Sequence, residues 1–260
     1  MSLIVVTGAG GGIGAAVCAR LLEDGYSVLA TDLAPEPALA KAPSLATAYA
    51  EGRLSYLPVD VTSEQSVAAL EEYLRQLGRP LQGLVNCAGI VHTAPLLETS
   101  YADWKRVNAV NADGVFLVTR EVAWLMLEQA DTDPTNSRGI VTVSSNAATT
   151  PRTEFGAYGA SKAAALQVSR SFGLQLAAHG IRVNTVCPGT TRTPMVTDPW
   201  DGQDLSAQPI AGNPASYRLG IPLGRIADPQ DIAEPIAFLT SPAARHITLQ
   251  NLTVDGGATF

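Results

Sequence analysis

Leu3-Ile-Val-Val-Thr-Gly-Ala-Gly-Gly-Gly-Ile-Gly14 is an apolar run that passes directly into a glycine-rich turn, and a helical pattern begins inside it at Ile13. The β-branched residues of the run predict a buried strand. Gly8, Gly12 and Gly14 let the chain turn sharply and let its backbone approach a ligand closely. Amides at the start of the following helix can bind a pyrophosphate. Strand, turn and helix in this order predict a dinucleotide-binding site at Gly8, Gly12, Ile13 and Gly14.

Short β-rich runs alternate with helical patterns along the rest of the chain. This alternation predicts an α/β fold, a Rossmann-like doubly wound parallel sheet of about seven strands with helices on both faces. The predicted strands are residues 3–7, 27–31, 54–59, 81–86, 140–144, 182–187 and 249–254. The predicted helices lie near residues 13–23, 63–77, 101–129, 155–179 and 229–239. Because no linker or repeat divides the chain, we expect residues 1–260 to form a single domain.

Two segments interrupt this alternation. Residues 34–52 are rich in alanine and proline, which favours a loose helix or a loop at the surface. Residues 197–216 are polar and rich in turn-forming residues. Long stretches of this kind inside a compact domain are usually functional lids or disordered. Because residues 197–216 follow the sixth strand, we expect them to form a substrate lid, and we call them the lid segment.

The composition narrows the classes of partner. A net charge of -7 and the absence of a basic run argue against a nucleic acid or an anionic membrane. The three cysteines and three histidines are scattered, which predicts neither a disulfide framework nor a metal site. The first residues lack the basic start of a signal peptide, and no apolar run reaches the ~18 residues of a membrane span. We therefore expect a soluble, cytoplasmic protein that binds a small molecule.

A carboxylate is expected beside the dinucleotide. Asp32 ends the second predicted strand, and no Arg or Lys lies in the glycine turn or just after Asp32. A carboxylate there accepts hydrogen bonds from the adenosine ribose and would repel a 2′-phosphate. The pattern favours NAD over NADP, the alternative being an ordinary turn aspartate. Small residues in Asn86-Cys-Ala-Gly89, where the fourth strand ends, would let the backbone pass close to the cofactor.

A tyrosine and a lysine four residues apart indicate acid–base chemistry. Tyr158 and Lys162 share one face of a predicted helix, so the phenol and the ammonium project together. A cation beside a phenol lowers the pKa of the phenol, which turns a weak acid into a general base. Ser145 adds a hydroxyl where the fifth strand ends, and Asn111 is a mid-helix asparagine. Taken singly, the pair could be a surface pair on an amphipathic helix, and Asn111 a solvated side chain.

Together these motifs resemble the short-chain dehydrogenase/reductase family over essentially the whole chain. The motifs follow the order of that family: the glycine turn, Asp60-Val61, Asn86-Cys-Ala-Gly89, Asn111, Ser145, Tyr158 with Lys162, Pro188-Gly189 and Val254-Asp-Gly-Gly257. Cys87 departs from the pattern, because the family often has a second asparagine there. This departure matters little, since the residue at that position would act mainly through its backbone.

The resemblance implies a role for each of these residues. Tyr158 would be the acid/base, and Ser145 would hold the substrate oxygen. Lys162 would bind the nicotinamide ribose and lower the pKa of Tyr158, while Asn111 would anchor a water in a proton relay. The implied cofactor-binding residues are Gly8, Gly12, Ile13, Gly14, Asp32, Asp60, Val61, Asn86, Ala88, Gly89, Tyr158, Lys162, Pro188, Gly189, Thr191 and Thr193. By analogy with the family, the chain would form a homotetramer.

Three longer strings resemble one subfamily, the 2,3-dihydro-2,3-dihydroxybenzoate dehydrogenases of catechol siderophore biosynthesis. They are Ser144-Ser-Asn-Ala-Ala-Thr-Thr-Pro-Arg152, Leu219-Gly-Ile-Pro-Leu-Gly-Arg-Ile-Ala227 and His246-Ile-Thr-Leu-Gln250. This resemblance implies NAD-dependent oxidation of a cyclic hydroxy acid, followed by aromatisation. Such a substrate carries a carboxylate, and Arg152 and Arg192 could each bind it, although either could be an ordinary solvated or capping arginine.

Three other functions remain open for the chain. A related aromatising dehydrogenase would act on a dihydro-hydroxyanthranilate or on another cyclic alcohol. A reductase of a ketone or an acyl thioester is disfavoured by the preference for NAD that Asp32 indicates. A non-catalytic NAD-binding regulator would be expected to lack part of the reactive set, whereas Asn111, Ser145, Tyr158 and Lys162 are all present.

Overall fold

Seven parallel strands form one sheet in the computed structural model, which describes residues 2–34, 43–132 and 137–259. The strands are β1 (Leu3–Thr7), β2 (Ser27–Asp32), β3 (Leu54–Pro58), β4 (Leu81–Asn86), β5 (Arg138–Val143), β6 (Ile181–Pro188) and β7 (Asn251–Val254). Their order is β3-β2-β1-β4-β5-β6-β7, so the winding reverses between β1 and β4. In such sheets a crevice opens at the carboxyl ends of the strands beside the reversal. The predicted doubly wound α/β fold is confirmed.

Helices cover both faces of this sheet. They are α1 (Gly12–Glu23), α2 (Pro43–Ala50), α3 (Glu64–Leu77), α4 (Tyr101–Asn108), α5 (Gly114–Thr132), α6 (Gly156–Leu176), α7 (Pro194–Thr197), α8 (Ala207–Ala211) and α9 (Pro229–Thr240). Among the described residues, no helix has the length and apolar character needed to cross a membrane.

Strand β1 is buried on both faces, which explains its unbroken apolar sequence. Successive side chains of a strand point to opposite faces. Ile4 and Val6 therefore belong to the core beneath α1 and α9, while Leu3 and Val5 belong to the core beneath α3 and α5. Each fully buried aliphatic side chain of this kind contributes about 1.5–3 kcal/mol to stability. The first strand thus anchors the glycine turn to both cores.

The predicted helix over residues 101–129 is not continuous. A π-helical turn, Ala109–Asp113, separates α4 from α5. A π turn adds a residue to the helix and rotates the side chains that follow, and such turns often occur at functional sites. Asn111 lies inside this turn and is completely buried.

Both unusual segments contain helical pieces. Within residues 34–52, α2 is a surface helix that packs Leu45 and Ala48 on the core, and residues 35–42 lie outside the described residues. The lid segment, predicted from its turn formers, contains short helical pieces, α8 and the 3-10 turns Asp198–Trp200 and Pro214–Ser216.

Candidate active site

The Ser145 hydroxyl and the Tyr158 phenol line one cavity of about 630 Å³. Ser145 lies two residues beyond the end of β5 and begins the 3-10 turn Asn146–Ala148, where Ser145 Oγ accepts a hydrogen bond from the Ala147 amide at 3.1 Å. Tyr158 lies in the first turn of α6. A strand end and a helix start therefore bring together two hydroxyls that are thirteen residues apart in sequence.

The electrostatics of Tyr158 differ from the sequence-based expectation. Burial raises the pKa of Tyr158 above its ordinary value, and this effect outweighs the hydrogen bond with Ser145 and the charge of Arg152, which both lower the pKa. Lys162 was expected to supply the lowering. Its ammonium lies 5.9 Å from the centroid of the tyrosine ring and donates instead to the Val143 carbonyl at 2.9 Å. In the protein alone, Ser145 and Arg152 lower the pKa of Tyr158, and the lowering by Lys162 stays a prediction.

Lys162 is an unusual lysine because it is almost completely buried. Burial lowers the pKa of its ammonium from 10.5 to about 8. The helix around it is tied to the sheet, since Ser144 Oγ donates to the Lys162 carbonyl oxygen at 2.9 Å. The ammonium is thereby held rigidly at the carboxyl end of β5, close to the tyrosine.

Asn111 binds the loop that follows β4. Its Oδ1 accepts a hydrogen bond from the Ile90 amide at 2.9 Å, and its Nδ2 donates to the Ile90 carbonyl oxygen at the same distance. The Nδ2 also donates to Ser161 Oγ at 3.0 Å, and Ser161 Oγ donates to the Tyr158 carbonyl oxygen at 2.7 Å. The side chain of Asn111 therefore positions the start of α6, and its implied role in anchoring a water stays a prediction.

The glycine turn forms a narrow cradle. Gly8 has a φ of 64°, and a Cβ at this position would lie 2.6 Å from the backbone of Ala88. Asp32 lies beside the turn, because its Oδ2 accepts from the Gly10 amide at 2.9 Å and its Oδ1 from the Leu33 amide at 2.7 Å. A turn without side chains at the start of α1, with a carboxylate at its edge, fits a dinucleotide whose phosphates meet helix amides and whose ribose meets Asp32.

Arg152 extends the same cavity with a positive charge. Its Nη2 donates to Asn146 Oδ1 at 2.9 Å, and Asn146 Nδ2 donates in turn to Asp255 Oδ2 at 3.0 Å. Burial lowers the pKa of the Arg152 guanidinium, and the charge of Arg218 lowers it further. A half-buried guanidinium in a cavity with two hydroxyls can bind an anionic group while an alcohol reacts beside it.

Arg192, the other arginine predicted to bind a carboxylate, does not line this cavity. Its amide donates to the Ala227 carbonyl oxygen at 2.8 Å, and the preceding Thr191 pairs with Ala227 as an isolated parallel bridge. The Arg192 Nε lies 3.7 Å from Asp228 Oδ1, and Arg192 lines another cavity, of about 570 Å³. The role of Arg192 as a carboxylate ligand stays a prediction, and of the two arginines Arg152 is the one that lines the cavity with Ser145 and Tyr158.

Comparisons with known proteins agree with this geometry. A family model described as Enoyl-(Acyl carrier protein) reductase matches residues 8–259. The chain is 41% identical to a vibriobactin-specific 2,3-dihydro-2,3-dihydroxybenzoate dehydrogenase of Vibrio cholerae, over 100% of this chain and 96% of that protein. It is 39% identical to a 2,3-dihydro-2,3-dihydroxybenzoate dehydrogenase of Bacillus subtilis, over 98% of this chain and 95% of that protein.

The chain belongs to the short-chain dehydrogenase/reductase family. Solved structures agree: a 4-hydroxyisoleucine dehydrogenase complexed with NADH superposes with a TM-score of 0.83 and 27% identity, covering 100% of this chain and 99% of the other. As a family member with dehydrogenase relatives, the protein is an oxidoreductase that acts on CH-OH groups.

The remaining cofactor positions implied by the family differ in what their side chains contact. Asp60 Oδ1 accepts from the amide and the hydroxyl of Thr62, at 2.9 and 2.7 Å, and Val61 lies against the start of α5. Asn86 is directed into the interior, where its Nδ2 donates to Thr119 Oγ1 at 3.0 Å. Its side chain therefore links β4 to α5, and only its backbone is left to face a cofactor.

The loop after β6 closes the other side of the cradle. Pro188 ends β6, and the Gly189 amide donates to the Val254 carbonyl oxygen at 3.0 Å. Thr191 and Thr193 are buried, and Thr193 lies against the glycine turn at Gly12. Ile13 packs on the core beneath α1. Gly14, Ala88 and Gly89 complete the cradle with side chains of one carbon or none.

Four residues of the site carried no role in the sequence-based prediction: Ser161, Asn146, Asp255 and Arg218. Ser161 and Asn146 adjoin predicted site residues, but Ser and Asn beside a catalytic position give no signal of their own. Arg218 lies two residues beyond the predicted end of the lid segment and lines the cavity with Arg152. Among the described residues, no group of three or more His, Cys, Asp or Glu side chains could hold a metal ion.

Proposed function

We propose that this short-chain dehydrogenase oxidises 2,3-dihydro-2,3-dihydroxybenzoate to 2,3-dihydroxybenzoate with NAD⁺. The near-full-length likeness to two dehydrogenases of that substrate supports the proposal. The position of Arg152 is the observation in this chain that supports the proposal most directly. Its guanidinium lines the cavity of Ser145 and Tyr158, which suits a substrate that is both an alcohol and an acid. Asp32 beside the glycine turn favours NAD over NADP.

In this proposal the side chains divide the binding of the substrate and the removal of its proton between them. Arg152 binds the carboxylate and so orients the ring, and Ser145 donates a hydrogen bond to the oxygen on C3. Tyr158, as the phenolate, takes the proton of that hydroxyl, while Lys162 holds the nicotinamide ribose. Bound NAD⁺ would accept the hydride that leaves C3. The resulting ketone loses the proton on C2, gains one on its oxygen and becomes the aromatic catechol, so one proton is released overall.

The tyrosine has to lose its proton before it can act as a base. Burial raises the pKa of Tyr158, which keeps the phenol protonated in the protein alone, whereas Ser145 and Arg152 lower the pKa. Arg152 thus serves twice in the proposal, as the ligand of the carboxylate and as a charge that favours the phenolate. Aromatisation of the product makes the overall oxidation strongly favourable.

Several further features belong to the proposal. The lid segment would cover the substrate, since Trp200, Gln208 and Asn213 line the cavity. A homotetramer is supported by exposed aromatic side chains on the long helix α5, where Phe116 is 41% and Trp124 58% exposed. We place the protein in the cytoplasm, in the biosynthesis of a catechol siderophore.

The test is NADH formation with a panel of cyclic substrates, which comprises the dihydrodiol acid, a dihydro-hydroxyanthranilate and a simple cyclic alcohol. We expect turnover of the dihydrodiol acid to exceed that of the others by at least tenfold, with 2,3-dihydroxybenzoate as product. Tyr158→Phe should lower kcat by about a thousandfold, within the range of general acid–base catalysis. Tyr101→Phe, which alters an exposed phenol on α4, should leave kcat unchanged.

Each outcome decides between the candidates. Preferred turnover of the dihydro-hydroxyanthranilate would identify that compound, and not the dihydrodiol acid, as the substrate. Turnover of the simple alcohol alone would leave a dehydrogenase without the siderophore role. NADH binding without turnover of any substrate would indicate a non-catalytic regulator.

A further inference from the structure

We infer that Arg218 is a second ligand of the substrate carboxylate, together with Arg152, and that this contact fastens the lid segment over the bound acid. The inference rests on the proposed function, because it concerns the same cavity and the same substrate. It adds a residue that lines the same cavity and lies two positions beyond the end of the lid segment. The acid would then bind to two guanidiniums of one cavity.

The backbone holds Arg218 firmly at the end of the lid segment. The Asn213 amide donates to the Arg218 carbonyl oxygen at 2.8 Å, and the Arg218 amide donates back to the Asn213 carbonyl oxygen at 2.9 Å. Tyr217 makes the intervening turn possible with a φ of 56°. The Arg218 guanidinium donates to Thr190 Oγ1 at 2.8 Å, and Thr190 also lines the cavity. The turn therefore directs the arginine inward while Tyr217 stays exposed.

The charges that line the cavity favour the binding of an anion. Arg152, Arg218 and Glu154 are its charged lining residues, so the lining carries one excess positive charge in a chain of net charge -7. The charge of Arg218 lowers the pKa of Arg152, which places the two guanidiniums within electrostatic reach of each other. Burial lowers the pKa of Arg218 as well, and Glu154 opposes this effect. Two half-buried cations that share one cavity repel each other until an anion lies between them.

A carboxylate matches this arrangement in chemistry. Its two oxygens offer about four acceptor positions, and a guanidinium presents donors in a planar fork. Asn146 and Thr190 each take up one nitrogen of one arginine, which leaves further N–H groups of both forks for a ligand. Because Arg218 lies two residues beyond the lid segment and its backbone pairs with Asn213 inside that segment, an acid that binds both arginines would hold the lid segment in place. A neutral diol of the same shape would not.

The test compares two ligands that differ only in the carboxylate, 2,3-dihydroxybenzoate and catechol. Their dissociation constants would be measured by titration calorimetry with NAD⁺ present. Arg218→Gln should weaken 2,3-dihydroxybenzoate binding by about tenfold to a hundredfold, as expected for a lost charge-assisted hydrogen bond, and change catechol binding by less than about twofold. Arg245→Gln, at an exposed arginine outside the cavity, should change neither constant.

The double variant of both arginines and the hydrogen exchange of the lid segment provide a second test of Arg218. Because both arginines would bind one carboxylate, the effects of Arg152→Gln and Arg218→Gln should not add in the double variant. In the wild-type protein, 2,3-dihydroxybenzoate should slow hydrogen exchange of amides in the lid segment, residues 197–216, more than catechol does. This difference should disappear in Arg218→Gln.

The possible failures are distinguishable. A wild-type protein that binds catechol as tightly as 2,3-dihydroxybenzoate would overturn the proposed function itself. A wild-type preference for the acid that survives in Arg218→Gln would overturn the role of Arg218 alone. Equal weakening of both ligands in Arg218→Gln would show that the arginine only supports the fold of the cavity.

Discussion

Asn146 Oδ1 accepts a hydrogen bond from Arg152 Nη2 at 2.9 Å, and this contact sets the position of the guanidinium in the cavity. The amide of Asn146 is oriented from its other side, because Asn146 Nδ2 donates to Asp255 Oδ2 at 3.0 Å. Asp255 is itself held by the Gly257 amide and the Thr259 hydroxyl, at 3.0 and 2.6 Å. A chain of polar contacts thus runs from Thr259 through Asp255 and Asn146 to the arginine.

Loss of Asn146 should affect substrate binding more than chemistry. In Asn146→Ala, Arg152 loses its orienting acceptor and Asp255 loses a donor, so we expect KM to rise about tenfold, as for a lost hydrogen bond to a charged group. The value of kcat should change by less than about threefold, since Ser145 and Tyr158 stay in place. Steady-state kinetics would measure both constants, with Asn108→Ala outside the cavity as the control. A lowered kcat at unchanged KM would contradict this role.

The rate of oxidation should depend on pH through Tyr158. Burial raises the pKa of Tyr158, so the reactive phenolate forms only as the pH rises. Below that pKa, kcat/KM for oxidation should increase about tenfold per pH unit. The charge of Arg152 lowers the pKa of Tyr158, so Arg152→Gln should move the whole profile to higher pH. An identical profile in Arg152→Gln would show that another charge controls the tyrosine.

Much of this site could be predicted because the fold brings strand ends together. The glycine turn and the alternating strands predict a parallel sheet, and in such a sheet Ser145 and the turn lie at the same edge. The helical spacing of Tyr158 and Lys162 then places the phenol and the ammonium near that edge. These inferences need only local periodicity and the handedness of crossovers.

The remaining features of the site depend on contacts that no local sequence pattern indicates. The π-helical turn at Asn111 contacts α4, α5 and α6, and the helical periodicity of residues 101–129 did not indicate it. Thr191 pairs with Ala227, which is distant in sequence, so the surroundings of the neighbouring Arg192 could not be predicted either. The contribution of burial to the pKa of Tyr158 could not be predicted from its spacing to Lys162, because burial depends on how the whole fold packs around the phenol.

Lys162 should make the protein less stable at neutral pH. Burial lowers the pKa of Lys162 from 10.5 to about 8, so between these values the unfolded chain binds more protons than the folded chain. The free energy of unfolding therefore increases with pH across that window. At about 1.4 kcal/mol per pKa unit, the cost of the buried charge is about 3 kcal/mol at pH 7 and about 1 kcal/mol at pH 10.

The variant Lys162→Met tests this cost directly. It should abolish turnover, and the stability of the wild-type protein relative to the variant should rise by about 2 kcal/mol between pH 7 and pH 10. Urea unfolding at both pH values would measure the difference. Lys105→Met, at an exposed lysine of α4, should show no such change. If the difference for Lys162→Met stayed constant with pH, the lysine would not be penalised by burial.

Asp32 should control the choice between NAD and NADP. Its carboxylate accepts from the Gly10 and Leu33 amides, which holds the negative charge at the edge of the glycine turn. Asp32→Asn keeps one acceptor oxygen and removes the charge that would repel a 2′-phosphate. We expect the ratio of kcat/KM for NAD⁺ to that for NADP⁺ to fall at least tenfold. An unchanged ratio would mean that a different part of the cradle rejects the phosphate.

Gly159 should be essential for the approach of α6 to the serine. A Cβ at this position would lie 2.8 Å from the Ala147 carbonyl oxygen, in the 3-10 turn that begins at Ser145. Glycine to alanine inside a helix normally stabilises a protein by about 1 kcal/mol. In Gly159→Ala we expect the opposite, because α6 and the turn must separate: a lower melting temperature and a kcat reduced at least tenfold.

The neighbouring residue provides a matched control for this variant. Ala160 lies one position further along α6 and is exposed, so Ala160→Gly should cost about 1 kcal/mol of stability through helix propensity alone. Its kcat should equal that of the wild-type protein, because no contact with the Ser145 turn is lost. Thermal unfolding and steady-state kinetics on both variants separate the two effects. If Gly159→Ala raised the melting temperature and kept its kcat, close packing against Ala147 would not be what joins Ser145 to Tyr158.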